Sequence, residues 1–199
     1  IAVSTSKINT ILEKIATING QVASLEPNGY VTNDLYDARD LLVDELNEYI
    51  PVSIERVPSG GNASEVAEGS LKITYQGVVL VQGKYSGSLQ VQDTNNNQID
   101  GSIDNNNEYS LFQRIVVNPA PVPGASGSGY AQANVEYAAL ESSQASRGKL
   151  LALIDSYGHA VVDRNASNGV YPDMMSELNK VAEQFVKALD PIRVTGKPL

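Results

Sequence analysis

Cysteine is missing from all 199 residues, tryptophan is missing too, and histidine occurs once. The first absence rules out disulfide staples, thiolate nucleophiles and cysteine-ligated zinc. The single histidine, His159, removes most two-histidine catalytic schemes, and it has no triad partners close by in sequence. It follows Gly158 at a helix exit, so a surface or helix-capping role is expected. Basic residues are few: 14 against 23 acidic, for a formal net charge of −9. No lysine or arginine run relieves that charge, which argues against nucleic acid and against an anionic membrane surface as partners. No apolar stretch approaches membrane-spanning length, and no signal peptide, Walker motif or nucleophile elbow is visible. What is present, 42% hydrophobic and 19% charged residues, suffices for a folded chain with a sizeable core.

Hydrophobic spacing then gives the elements. Ile8, Ile11, Ile15, Ile18, Val22 and Leu25 step by 3, 4, 3, 4, 3, a heptad seam that packs helix on helix. Thr5 or Ser6 suits its N-cap, Pro27-Asn28-Gly29 ends it, and Asn19 beside the seam can fix register. A second helix starts at Asn33 or Asp34. It carries Leu35, Ala38, Leu42 and Tyr49 on a stripe of the same period, and Pro51 stops it. The short turn between them predicts an antiparallel pair. Alternation takes over in Val52 to Val57 and Leu71 to Tyr75, and Gln76-Gly77 reads as a hairpin turn into Val78 to Val81. Leu89 to Gln92, Leu111 to Val117 and a short piece around Val135 complete the strands. A Pro- then Gly/Ser-rich loop occupies 118–129. A short helix follows Arg147 and runs to Tyr157-Gly158, and a loop passes through Asn168-Gly169. In a last helix Met174, Leu178, Val181, Phe185 and Ala188 repeat the seam until Pro191. The fold class this predicts is α+β: an antiparallel, coiled-coil-like helical bundle from 1–50 and 147–199, with an antiparallel β domain inserted at 51–146. Its bundle seam takes Ile8, Ile11, Ile15, Ile18, Val22, Leu35, Leu42, Leu178, Val181 and Phe185.

Two acidic stretches invite a chemical reading. Asp37, Asp40 and Asp44 share one strip of the second helix, since residues three and four apart are neighbours. With no histidine or glycine-rich loop nearby, the strip reads as a solvated face, and Arg39 can pair with a neighbouring carboxylate. The run from Asp93 to Gly101 resembles the start of a calcium loop. Gln98, however, stands where such a loop needs glycine, and asparagine and aspartate are also good turn residues. Asn62-Ala63-Ser64 and Asn165-Ala166-Ser167 match the glycosylation pattern, a short motif that arises often by chance. Ten tyrosines could stack on sugars, but they are scattered. No cofactor, metal ligand or catalytic residue emerges.

Several segments in order resemble one family. Residues 8–22, then NDLYDARDLLVDELNEYI, are similar to the paired helices of the flagellar hook-associated protein 1 family. That family's pattern of Asn-Asp-Leu followed by Arg-Asp-Leu-Leu is matched by Asn33, Asp34, Leu35, Arg39, Asp40, Leu41 and Leu42. Val79-Leu80-Val81-Gln82-Gly83, Arg147 to Asp155, and Tyr171 to Asn179 resemble its hairpin and its later helices. The resemblance implies a non-enzymatic component of the hook–filament junction, outside the cell, exported through the flagellar type III apparatus. A chain with no cysteine and no cleavable leader suits that route. Its implied partners are copies of itself, the hook protein and the distal hook-associated protein. An export chaperone would act through segments not in this sequence, which reads as a middle fragment. In this setting Asp37, Asp40 and Asp44 form a candidate subunit-contact strip. The alternative is a secreted calcium- or glycan-binding β module on a helical stalk.

Overall fold

A computed structural model describes residues 1–99, 111–121, 133–136, 148–160 and 167–195. Much of the 118–129 loop, the end of the 93–101 tract, Arg147, Tyr137 and Asn165 lie outside the described residues.

The first helix, α1 (Ala2–Leu25), buries Ile8, Ile11, Leu12, Ile15, Ala16, Asn19 and Val22 along one side. Ile18 is half-buried. Thr5 and Ser6 lie inside the helix rather than capping it. Ile1 takes the cap position, and the Thr5 hydroxyl donates back to the Ile1 carbonyl at 3.2 Å. A hydroxyl already on a helical residue meets carbonyls behind it, not the orphan amides ahead. A 3-10 turn, Glu26–Asn28, closes at Gly29 and leads to α2 (Asn33–Tyr49). Thr32, not Asn33 or Asp34, is its N-cap residue, and no side chain caps it. Pro51 favours an extended residue before it, and Ile50 is extended. Lys7 near one helix start pairs with Glu45 near the other helix end at 2.8 Å, so the pair is antiparallel.

The buried face of α2 is Tyr36, Arg39, Val43 and Leu46, followed by Ile50. The stripe expected from spacing lies beside it: Leu35, Leu42 and Tyr49 are half-buried and Ala38 is exposed. Both stripes have helical period. The one that wins is the one carrying the residues that reach α1 and the loop before β2.

Strands β1 (Ser53–Val57), β2 (Ser70–Tyr75), β3 (Val78–Gln82) and β4 (Tyr85–Ser86) form an antiparallel sheet in that order. Tyr75 faces Val78 across Gln76-Gly77, whose φ values of 49° and 79° make the two-residue turn that matches strand twist. The second sheet holds β5 (Ser88–Asp93), β6 (Phe112–Asn118) and β7 (Ala133–Glu136), antiparallel about β6. Two short strands, β8 (His159–Ala160) and β9 (Ser167–Asn168), stand where a loop was expected. They join through a parallel contact of Phe112 with His159.

β2 and β5 alternate strictly, burying Leu71, Ile73 and Tyr75, and Leu89, Val91 and Asp93. Their inner faces meet α1. One hydrophobic cluster runs from Ile8 through Leu46, Ile73, Val81, Leu89, Phe112 and Val135 to Ile154. The β segment therefore shares its core with the helices. Two asparagines of α1 join helix to strand backbone. Asn19 donates to Leu71 O at 2.7 Å and Gly83 O at 3.2 Å, and accepts from Leu71 N–H at 2.9 Å. Asn9 exchanges the same pair of bonds with Leu89.

After β7 comes α3 (Lys149–Tyr157), and beyond β8 and β9 comes α4 (Val170–Thr195). Lys149 pairs with Glu48 at the end of α2, and Leu150 and Ile154 enter the core. α4 passes Pro191 instead of ending there. Only four helical residues follow Pro191, so the one backbone donor it lacks is lost close to the helix end.

Candidate functional site

On α2 the aspartates and the arginine part company. Asp37, Asp40 and Asp44 are exposed, and no described lysine or arginine lies within ion-pair distance of them. Arg39, on the opposite face, is fully buried. The sequence pointed to a neighbouring carboxylate as its partner. The structure supplies a distant one: Arg39 donates to Glu68 Oε2 at 2.9 Å and to the Gly69 carbonyl at 2.6 Å, with its guanidinium 5.3 Å from the Tyr36 ring centre. Burial lowers its pKa from the ordinary arginine value, and Glu68 opposes that shift. Arginine keeps its charge nonetheless.

Glu26, also fully buried, completes this polar cluster. Its Oε1 accepts from the Tyr36 hydroxyl and from the Gly69 amide at 3.1 Å, and its Oε2 accepts from the Ser59 hydroxyl. Burial alone would raise its pKa. The Ser59 and Tyr36 hydroxyls, the Gly69 amide and the Arg39 charge outweigh that and hold the carboxyl below the ordinary glutamate value. Spacing did carry a signal here: Glu26 lies four residues past Val22 on the buried side of α1, an acid at a core position. What the spacing omits is its partner loop.

At the second acidic stretch, Asp93 is 4% exposed and its Oδ1 accepts from the Asn95 and Asn97 amides at 2.8 and 2.7 Å. The carboxylate thus organises its own turn, and Ile99 N–H returns to Val91 O at 2.8 Å. Among the described residues no group of three or more histidine, aspartate or glutamate side chains is placed to hold a metal. His159, expected on the surface, is 7% exposed, because β8 draws it in beside Phe112. Asn62 sits on an exposed loop.

The remaining prominent surface is α4. Met174, Leu178, Val181 and Phe185 are each 61–64% exposed, on a helix whose contacts are with α3 and β9. The expected packing of Leu178, Val181 and Phe185 against α1 and α2 is not made. Ile8, Ile11 and Ile15 are covered by the sheets and by the inner face of α2 instead, and Val22 is fully buried. No described helix is long and apolar enough to cross a membrane.

Buried charges tied into loop backbone, a core shared by helices and sheets, and an open apolar helix face together define a packing domain of α+β class. The chain belongs to the family described as "Flagellar hook-associated protein FlgK helical domain", which matches residues 1–197. It is 31% identical over 189 residues to flagellar hook-associated protein 1 of Bacillus subtilis (strain 168), covering 95% of this chain and 33% of that protein. The chain thus spans about a third of that relative's length. The solved flagellar hook junction protein FlgK from Burkholderia pseudomallei aligns at TM-score 0.45 and 22% identity, over 69% of this chain and 20% of that one.

Proposed function

We propose that this chain is a structural part of the bacterial flagellum, in the junction between hook and filament, and that it works through contacts between subunits and not through catalysis. The observation that carries this reading, beside the family, is the division of labour on α2. Arg39 is turned inward to fix a loop, while Asp37, Asp40 and Asp44 face solvent and make no ion pair with a described residue. An exposed single-sign strip on a rigid helix sets the register of a neighbour bearing the opposite charge. The partners that fit are copies of the same protein, the hook protein and the distal hook-associated protein, with export through the flagellar type III apparatus to the cell exterior. The segment 51–146 is the outward part of this arrangement, inserted between the two helical parts.

Charge reversal tests it. Asp40→Lys with Asp44→Lys, in the full-length protein, weakens junction assembly and motility. The stability of the domain changes by no more than about 0.5 kcal/mol, as for surface sites generally. Normal motility with a folded double variant would remove the strip from the account.

A further inference from the structure

Between β1 and β2 the chain does not turn tightly. Residues 58–69 travel across the α1–α2 turn before returning to the sheet. None of these twelve positions contributes a side chain to the hydrophobic core, and Val66, their one large aliphatic residue, is 69% exposed. What holds the segment is polar. Ser59 at one end and the Gly69 amide at the other both donate to Glu26. Asn62 N–H donates to Pro27 O at 3.2 Å, and Glu68 bonds Arg39. Gly69 itself has φ +72° and no room for a Cβ, which would lie 2.1 Å from Val57 O.

We propose that residues 58–69 are an acid-released strap, held shut by the Glu26 carboxylate and able to open while the rest of the fold stays intact. Three donors converge on Glu26: the Tyr36 hydroxyl, the Ser59 hydroxyl and the Gly69 N–H. A protonated carboxyl brings a fourth hydrogen into that space. The two hydroxyls can rotate and accept it, but the Gly69 amide has only a hydrogen to offer. The charged surroundings push the same way. Arg39 on α2 faces Glu26 across Gly69 and is flanked by Asp40. Glu68 of the strap bridges Arg39 and, at 3.2 Å, Arg56 of β1. With Glu26 neutral, Glu68 and the flanking Asp40 are left to balance Arg39 and Arg56. The bonds favour the ionised form, so their contribution is full above the ordinary glutamate pKa of about 4.3 and is lost as pH falls below it. The helices and sheets rest on apolar burial, which acid does not remove.

Hydrogen exchange on this chain, corrected for the intrinsic pH dependence of exchange, tests the strap. Its reporters are the Asn62, Ala67 and Gly69 amides, with Ile11 and Ile15 of α1 and Val91 of β5 as controls. Glu26→Gln at neutral pH lowers strap protection about tenfold or more and leaves the controls within about twofold. In the unaltered protein, lowering the pH through the carboxylate range opens the strap before the controls. Ser59→Ala, which touches no core residue, gives a smaller loss confined to 58–69. Unchanged strap protection in the folded variants overturns the proposal. So does a loss shared equally by strap and controls. If Glu26→Gln does not fold, the acid series and Ser59→Ala decide by the same criteria.

Discussion

Asn19 sits where the ladder between β2 and β3 has parted, beyond the paired Ile73 and Val81, and its amide meets Leu71 and Gly83 as a neighbouring strand would. A primary amide offers both the donor and the acceptor that the Leu71 backbone requires. Asn19→Ala leaves the Leu71 amide and carbonyl buried without partners. It lowers the unfolding free energy by about 2 kcal/mol or more in urea titration. Asn9→Ala, at a half-exposed site, costs less. A second residue-level outcome concerns Tyr75. Burial pushes its phenol up to about 12 from an ordinary 10.0. The folded state therefore holds that proton after the unfolded state has released it, and the stability Tyr75 provides is complete below pH 10 and declines from there to about 12. Absorbance titration of the phenolate band shows at least one of the ten tyrosines ionising late, and together with alkaline unfolding. At this scale the sequence was partly readable. Asn19 stood out beside its seam. Arg39 did not, because its carboxylate partner lies 29 residues away in a loop with no pattern of its own.

Elements were easier to read than their faces. Period identified α1, α2 and α4, and alternation identified β1 and β2, because those patterns are local. Which stripe of α2 turns inward depends on what arrives to cover it. Leu35, Leu42 and Tyr49 make as good a heptad as Tyr36, Val43 and Ile50, and only contact with α1 and the strap separates them. The same holds for α4, whose seam is regular and yet open. This contrast has a measurable outcome. Leu178→Glu with Phe185→Glu on α4 shifts the stability of this chain by no more than about 0.5 kcal/mol. Ile15→Ala on α1, fully buried, costs about 2–5 kcal/mol. Thermal denaturation of the two variants side by side checks the ordering. A large loss from the α4 pair would mean that the stripe is covered within this chain.

At the scale of the molecule, the described charges lie mostly away from the apolar core. Among the described residues most acidic side chains lie outside, with Asp37, Asp40, Asp44 and Glu48 all exposed on α2. The two buried charges of the strap cluster, Glu26 and Arg39, are joined through Gly69. The single core has a consequence in time. Its members come from Ile8 at one extreme and Ile154 at the other. A chain delivered from its N-terminus first forms α1 and α2 as a local hairpin, with Ile8, Ile15 and Val22 still lacking their cover. The strands that supply it arrive from Leu71 to Val135, and α3 arrives last. Non-local closure of this kind is slow compared with helix formation. A chain fed forward in that order would stay open until its final third had come through.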